Sequence, residues 1–292
     1  MTKYLALHIQ DLQMTRFRTS IFLAVAAIIS GSVSAHDTWV EVNAPEVREG
    51  NVVYVDLKLG NHGNEHRDFK MNSLITLDHV KLAVRMPCGC TDDIKPTLTP
   101  TASEPKQGYW TTRYTTTKPG LHVVSHEMDT LHGKTRAIKS AKTYFVVGPD
   151  AAATKGPLAM CNVPLGHPLE LVPLNNPVTE SGPNKPIRVR VVFEEKSLAD
   201  ARVSFIPRGQ QLAEGFDDKF ERRTDDKGIA EFTPSEANLI LVVVHHQEPQ
   251  RSGEGYDSTN YSATLTVAVP EVSFPTPVAT TAAGGVVTVS ED

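Results

Sequence analysis

Eleven histidines in 292 residues are the groups here with the most chemistry to offer. His36 follows Ser32-Val33-Ser34-Ala35. A cut after Ala35 would make it the first residue, with two nitrogens in chelating range: its α-amine and its ring Nδ1. With ordinary pKa values of about 8 and about 6.5, both can yield their protons to a divalent late transition metal near neutral pH. Imidazole suits nickel, copper and zinc. A further imidazole would complete a three-nitrogen arrangement. His62 and His66 lie in GNHGNEHRDF, just after a strand-like run. His122 and His126 sit four apart in LHVVSH, on one face of a strand, with His132 following. His245 and His246 end LILVVVHH, where neighbours point to opposite faces, so at most one can serve a given ion. Thr38 holds the third position after the cut, so the simple amino-terminal copper/nickel motif is absent. His79 and His167 stand in no special context. The expected metal set is His36 and His62, completed by one of His126, His245 and His246. Asp37 or Glu127 is placed to orient a ligating imidazole from behind.

The elements that must position these groups are strands. Residues 52–59, 80–85, 109–117, 121–126 and 141–147 are short β-favouring runs bounded by Gly, Pro, Asn and Asp. After a Gly/Pro/Ala linker the pattern resumes at 169–173, 187–193, 201–206, 224–232, 239–246 and 261–269. IRVRVVF turns Ile187, Val189, Val191 and Phe193 inward and Arg188 and Arg190 outward. LILVVVHH is apolar on both faces and is predicted to be a central strand. The reading is all-β: two consecutive β-sandwich domains of immunoglobulin or transthyretin type, over 36–148 and 155–269, with a flexible tail at 270–292. Residues 1–35 read as a signal peptide. Arg16 and Arg18 precede a short apolar run from Ile21 to Ser30, and small residues precede the cut. No later run is long enough to span a bilayer, so no stable membrane insertion is expected after cleavage.

Export to an oxidising compartment gives the three cysteines a meaning. A Cys88–Cys90 bridge closes a very tight ring, so Cys161 is expected to pair with one of them, leaving one thiol. That link would contribute about 4 kcal/mol on a chain-entropy argument. The rival use is a thiolate metal site, although no CxxC pair is present. The net charge of −5 and pI near 6.1 argue against nucleic acid as a partner. GxSxG, HExxH, Walker and strand-linked GxGxxG motifs are all missing, and no catalytic residue is assigned. The Asp225-Asp226-Lys227-Gly228 segment lacks the oxygen-donor spacing of an EF-hand and reads as a hairpin turn.

With these segments in order, the chain resembles the NikM-like periplasmic family, often catalogued only as a domain of unknown function. The resemblance rests on HDTWVEV (36–42), LKLGNH (57–62), KPGLHVVSHE (118–127), AIKSAKTYFVVG (137–148), GHPLELVP (166–173), ADARVSFIPRG (199–209), RTDDKGIAEF (223–232) and LVVVHH (241–246). It implies β-sandwich folds, a metal site using the terminal His36, and a role in nickel or cobalt uptake. His62 is similar to the Gly-His of that family, but Asn61 intervenes after Gly60. The expectation is a non-enzymatic periplasmic protein that binds nickel or cobalt, with copper or zinc as other candidate ions, and serves a membrane metal transporter. Two rivals remain: a non-catalytic adhesion or sugar-binding module, with Trp39, Tyr109 and Trp110 as its aromatic platform, and a copper histidine-brace oxidase.

Overall fold

Val53, Val55, Leu57 and Leu59 alternate with polar residues, and that period of two drives the chain into strands that bury one face. The computed structural model describes residues 36–60, 76–104, 107–148 and 161–272. The expected signal peptide, His62, most of the linker and nearly all of the tail lie outside the described residues.

In chain order the first strands are β1 (Asp37–Val42), β2 (Glu46–Val47), β3 (Val52–Gly60), β4 (Val80–Arg85), β5 (Thr91–Asp93) and β6 (Thr99–Glu104). Next come β7 (Gln107–Thr115), β8 (Gly120–His132) and β9 (Thr135–Val147). The second half carries β10 (Leu169–Pro173), β11 (Ile187–Phe193), β12 (Lys196–Ser197), β13 (Arg202–Pro207), β14 (Glu221–Arg223), β15 (Ile229–Phe232), β16 (Asn238–Glu248) and β17 (Ser258–Val269). The runs at 80–85, 169–173 and 187–193 match the sequence reading to the residue. The all-β expectation holds. β8 and β9 are each far longer than their apolar runs, because their polar ends still find ladder partners from His132↔Thr135 onward.

Among the described residues, three sheets result. One has the order β1-β3-β7-β6, and a second has β10-β11-β12 with β15 on the other side of β11. The third runs β14-β13-β16-β17-β9-β8-β4-β5, with β2 beside β9. LILVVVHH lies in β16, between β13 and β17, as its two apolar faces require. The large sheet crosses from one half of the chain to the other through a parallel pairing of β9 with β17, from Thr135↔Ser258 to Thr143↔Thr266.

Strand alternation then gives that sheet two apolar faces. Val124, Ala141, Phe145 and Val147 join Val53, Val55 and Leu57 from the first sheet in one core. Leu121, Val123, Tyr144 and Val146 point the other way and pack with Leu169, Leu171, Val189, Val242 and Leu265. The second core therefore mixes residues from both halves. Each large aliphatic buried there is worth about 1.5–3 kcal/mol.

The Asp225–Gly228 segment is a turn, closed by Gly228 N–H to Asp225 O at 2.8 Å, as its composition predicts. Gly228 sits at φ 73°, and a Cβ there would lie 2.9 Å from the Val191 carbonyl oxygen. Gly228→Ala is expected to cost about 1–3 kcal/mol, read as a lowered urea midpoint with an unchanged slope. An unchanged midpoint would show that the turn relaxes freely.

Candidate metal centre

The residues that follow His36 are anchored one after another onto the large sheet. Lys139 Nζ donates to the His36 carbonyl. Asp37 Oδ1 lies 2.8 Å from His245 Nε2. Thr264 Oγ1 donates to the Thr38 carbonyl at 2.9 Å. Trp39 wedges among Ile206, Leu241 and Val243, and its indole N–H reaches Glu41 at 2.8 Å. Glu41 in turn meets Lys58 and Arg208, each at 2.6 Å. The register explains the convergence. Met128, Lys139, Ser262 and His245 form one row across β8, β9, β17 and β16, on the face that β1 covers.

Burial pushes the Asp37 carboxyl up, but the imidazolium of His245, the ammonium of Lys139 and a hydrogen bond with Ser262 outweigh it and hold the group below its ordinary range. The Asp37 charge in turn raises His245, against a smaller opposing effect of burial. Burial lowers Lys139, and Asp37 offsets part of that shift. The stabilising contribution of a depressed carboxylate is lost as pH falls through its folded value. That of a raised imidazole is lost as pH rises through its folded value. The pair therefore stabilises most between about pH 4 and about pH 6.5. Because the His245 side chain is 53% exposed, the effect is held to about 1 kcal/mol. Thermal melts of wild type and Asp37→Asn should differ more at about pH 5.5 than at about pH 8.5. Equal gaps at both would remove the pair from the pH profile.

His126 is fully buried on the same face as Lys139, one pairing step along β8 and opposite Ala141. Its Nδ1 lies 3.0 Å from the Lys81 carbonyl oxygen. A carbonyl only accepts, so Nδ1 carries the proton and Nε2 keeps a lone pair. That Nε2 is buried and has no hydrogen-bond partner. Burial pushes this imidazole down to about 3, against a smaller opposing effect of the Lys81 carbonyl, so it stays neutral across the physiological range. His122 repeats the arrangement. Its Nδ1 is 3.0 Å from Gly120 O, its Nε2 is unpartnered, and its ring stacks on Phe145 at 4.8 Å. A neutral imidazole with one nitrogen held by a carbonyl and the other open is the form that ligates metals.

The other sequence candidates divide. His245 joins Asp37 beside the His36 carbonyl. His246 points to the opposite face, 4.3 Å from the Phe193 ring and 6.2 Å from the Tyr261 ring, so the adjacent pair diverges as its strand position requires. Glu127 does hold an imidazole, but that of His167, with Oε1 3.3 Å from Nε2. His167 had no sequence context to single it out. Lys139 and Ser262 were also missed, since nothing in an alternating strand marks the residue that a distant strand will meet. Among the described residues, no three His, Cys, Asp or Glu side chains gather as a ready metal cage.

The cysteine pairing expected from the sequence is corrected. No disulfide joins the three. Cys161 is buried in the core shared by both halves, while Cys88 and Cys90 are exposed on the β4–β5 hairpin.

Fold and site together define an all-β chain of several sheets whose residues 36–42 are riveted to a sheet common to both halves. The chain belongs to the family described as "Domain of unknown function (DUF4198)", whose model matches residues 33–248. No curated protein matches it. Among solved structures, a DUF4785 family protein from Legionella pneumophila is 13% identical with a TM-score of 0.27, covering 70% of this chain and 50% of that one. The adhesin InvE of Yersinia pseudotuberculosis is 14% identical with a TM-score of 0.21, covering 79% and 58%. Murine CEACAM1b is 10% identical with a TM-score of 0.21, covering 81% and 100%. This chain thus spans about half the length of the Legionella protein. Likenesses this slight carry no functional argument.

Proposed function

We propose that this protein is a periplasmic carrier for a divalent transition metal, nickel or cobalt, that hands its ion to a membrane transporter. The reading rests on the NikM-like resemblance and on the chelating power of a terminal His36. The observation that carries it is His126. Its Nε2 is buried and unpartnered, its tautomer is set by the Lys81 carbonyl, and it shares a sheet face with the lysine that holds the His36 carbonyl. The ion is cargo. His36 supplies amine and ring nitrogen, His126 is the described candidate for the third nitrogen, and Asp37 holds His245 at the rim. Because His126 is already neutral, it adds no proton competition of its own, and the pH dependence of binding comes from the His36 amine and ring.

The test is made on protein purified from the exported fraction, with intact mass and elemental analysis on the same sample. The mass should correspond to residues 36–292, with nickel or cobalt near one equivalent. His126→Ala should lose part of the metal and keep the terminus at residue 36. A retained leader removes the amine–imidazole chelate and overturns the reading. Metal-free protein that binds none on titration favours the adhesion module, and copper with peroxide-dependent turnover favours the brace oxidase.

A further inference from the structure

The hairpin between β4 and β5 brings together two sulfurs that the carrier site does not use. Met86 N–H donates to Cys90 O and Gly89 N–H donates to Met86 O, both at 2.9 Å. Pro87 opens the turn with its fixed φ, and Gly89 closes it at φ 84°, a left-handed conformation that glycine adopts without strain. The result is a short, doubly pinned loop with Cys88 and Cys90 both exposed at its tip. The Cys90 backbone N–H lies 3.4 Å from Cys88 Sγ. The Cys90 thiol and its N–H hold Cys88 below the ordinary thiol range, and Cys88 in turn pushes Cys90 up. Cationic groups stand close. An Arg85 Nη2 is 4.0 Å from where a Cβ on Gly89 would be, and the Lys118 charge acts on Cys88.

We propose that Cys88 and Cys90 form a two-thiolate site for a soft monovalent cation, copper(I), separate from the carrier site at His36. Coordination number decides the class of ion. Nickel and zinc sites call for more donors, and structural zinc for four. Among the described residues no group of three His, Cys, Asp or Glu side chains assembles here. Thiolate is the preferred donor of copper(I), and a filled-shell monovalent ion is satisfied by two sulfurs. On binding, two S–H bonds break, two protons leave and two copper–sulfur bonds form. Neither copper nor sulfur changes oxidation state. Two thiolates and one cation leave a net negative charge, which Arg85 and Lys118 are placed to offset.

The test uses the whole protein, fully reduced and kept anaerobic, with copper(I) supplied as its bicinchoninate complex. Wild type should withdraw one equivalent from the chelator. Cys88→Ser and Cys90→Ser should each lower that affinity by about two orders of magnitude or more, as expected when a chelate becomes a single ligand. Because both side chains are exposed, neither variant should shift the melting temperature, which separates ligand loss from unfolding. His36→Ala should retain copper(I) as wild type does, whether or not nickel binds at His36. The proposal is overturned if wild type leaves the copper with the chelator. It is equally overturned if the double serine variant holds copper like wild type, or if His36→Ala abolishes retention.

Discussion

Alanine at position 36 is expected to weaken nickel binding more than alanine at His62, His126, His245 or His246. The reason is count. A terminal His36 provides two of the three proposed nitrogens, and chelation through one residue makes the second bond effectively intramolecular, worth a factor of about 10²–10⁴. His36→Ala leaves a lone amine and a distant imidazole, while His126→Ala leaves the terminal chelate intact. Alanine also keeps the backbone carbonyl that Lys139 engages, so β1 stays seated. Affinity should fall as pH drops below about 8 and then about 6.5, where amine and ring take up protons. His126, held at about 3, adds nothing to that dependence. Isothermal titration of the single variants at two pH values, each with its terminus confirmed by mass, reads both effects. If His36→Ala binds like wild type while another histidine variant does not, the site lies elsewhere and His36 is a coincidence of cleavage.

Glu170→Ala is expected to be strongly destabilising. Glu170 lies 2.6 Å from Lys142, with side chains 1% and 2% exposed. It also accepts the backbone N–H groups of Leu165, Gly166 and His167. Burial raises the Glu170 carboxyl, but Lys142 and these donors more than reverse the shift. Burial lowers Lys142, and Glu170 offsets part of that. Truncating the acid strands a buried ammonium and three donors, a loss of about 3–5 kcal/mol from a total of about 5–15 kcal/mol. Pairing Lys142→Met with Glu170→Gln removes the charge and keeps an acceptor, and should recover most of the loss. Urea unfolding of both variants decides. A loss of under about 1 kcal/mol for Glu170→Ala would show that water reaches the pair and that it behaves as a surface bridge.

Much of the fold was legible because local pattern suffices for it. The alternation of Ile187, Val189 and Val191, the doubly apolar run at 239–246 and the Asp225–Gly228 turn each encode an element within a few residues. So does the divergence of His245 and His246, which follows from strand geometry alone. His36, Asp37, His126 and His245 could be named as candidates from residue type and position, and three of them meet Lys139 or each other.

The rest depends on pairings between residues far apart in sequence. Nothing within either strand announces that β9 will lie parallel to β17, more than a hundred residues on. Yet that pairing makes one sheet common to both halves. It mixes Tyr144 and Val146 into a core with Leu265, and it sets Lys139 beside Ser262 and His245. Cys161 shows the same limit, since its spacing in the chain invited a bridge, yet it packs in the shared core while Cys88 and Cys90 stay exposed on a hairpin. Residue types and their periodicity state which groups can bind a metal, hold a charge or form a strand. Which of them meet is settled when apolar faces find partners across the sheet, because burial is a property of the assembled surfaces and not of any segment.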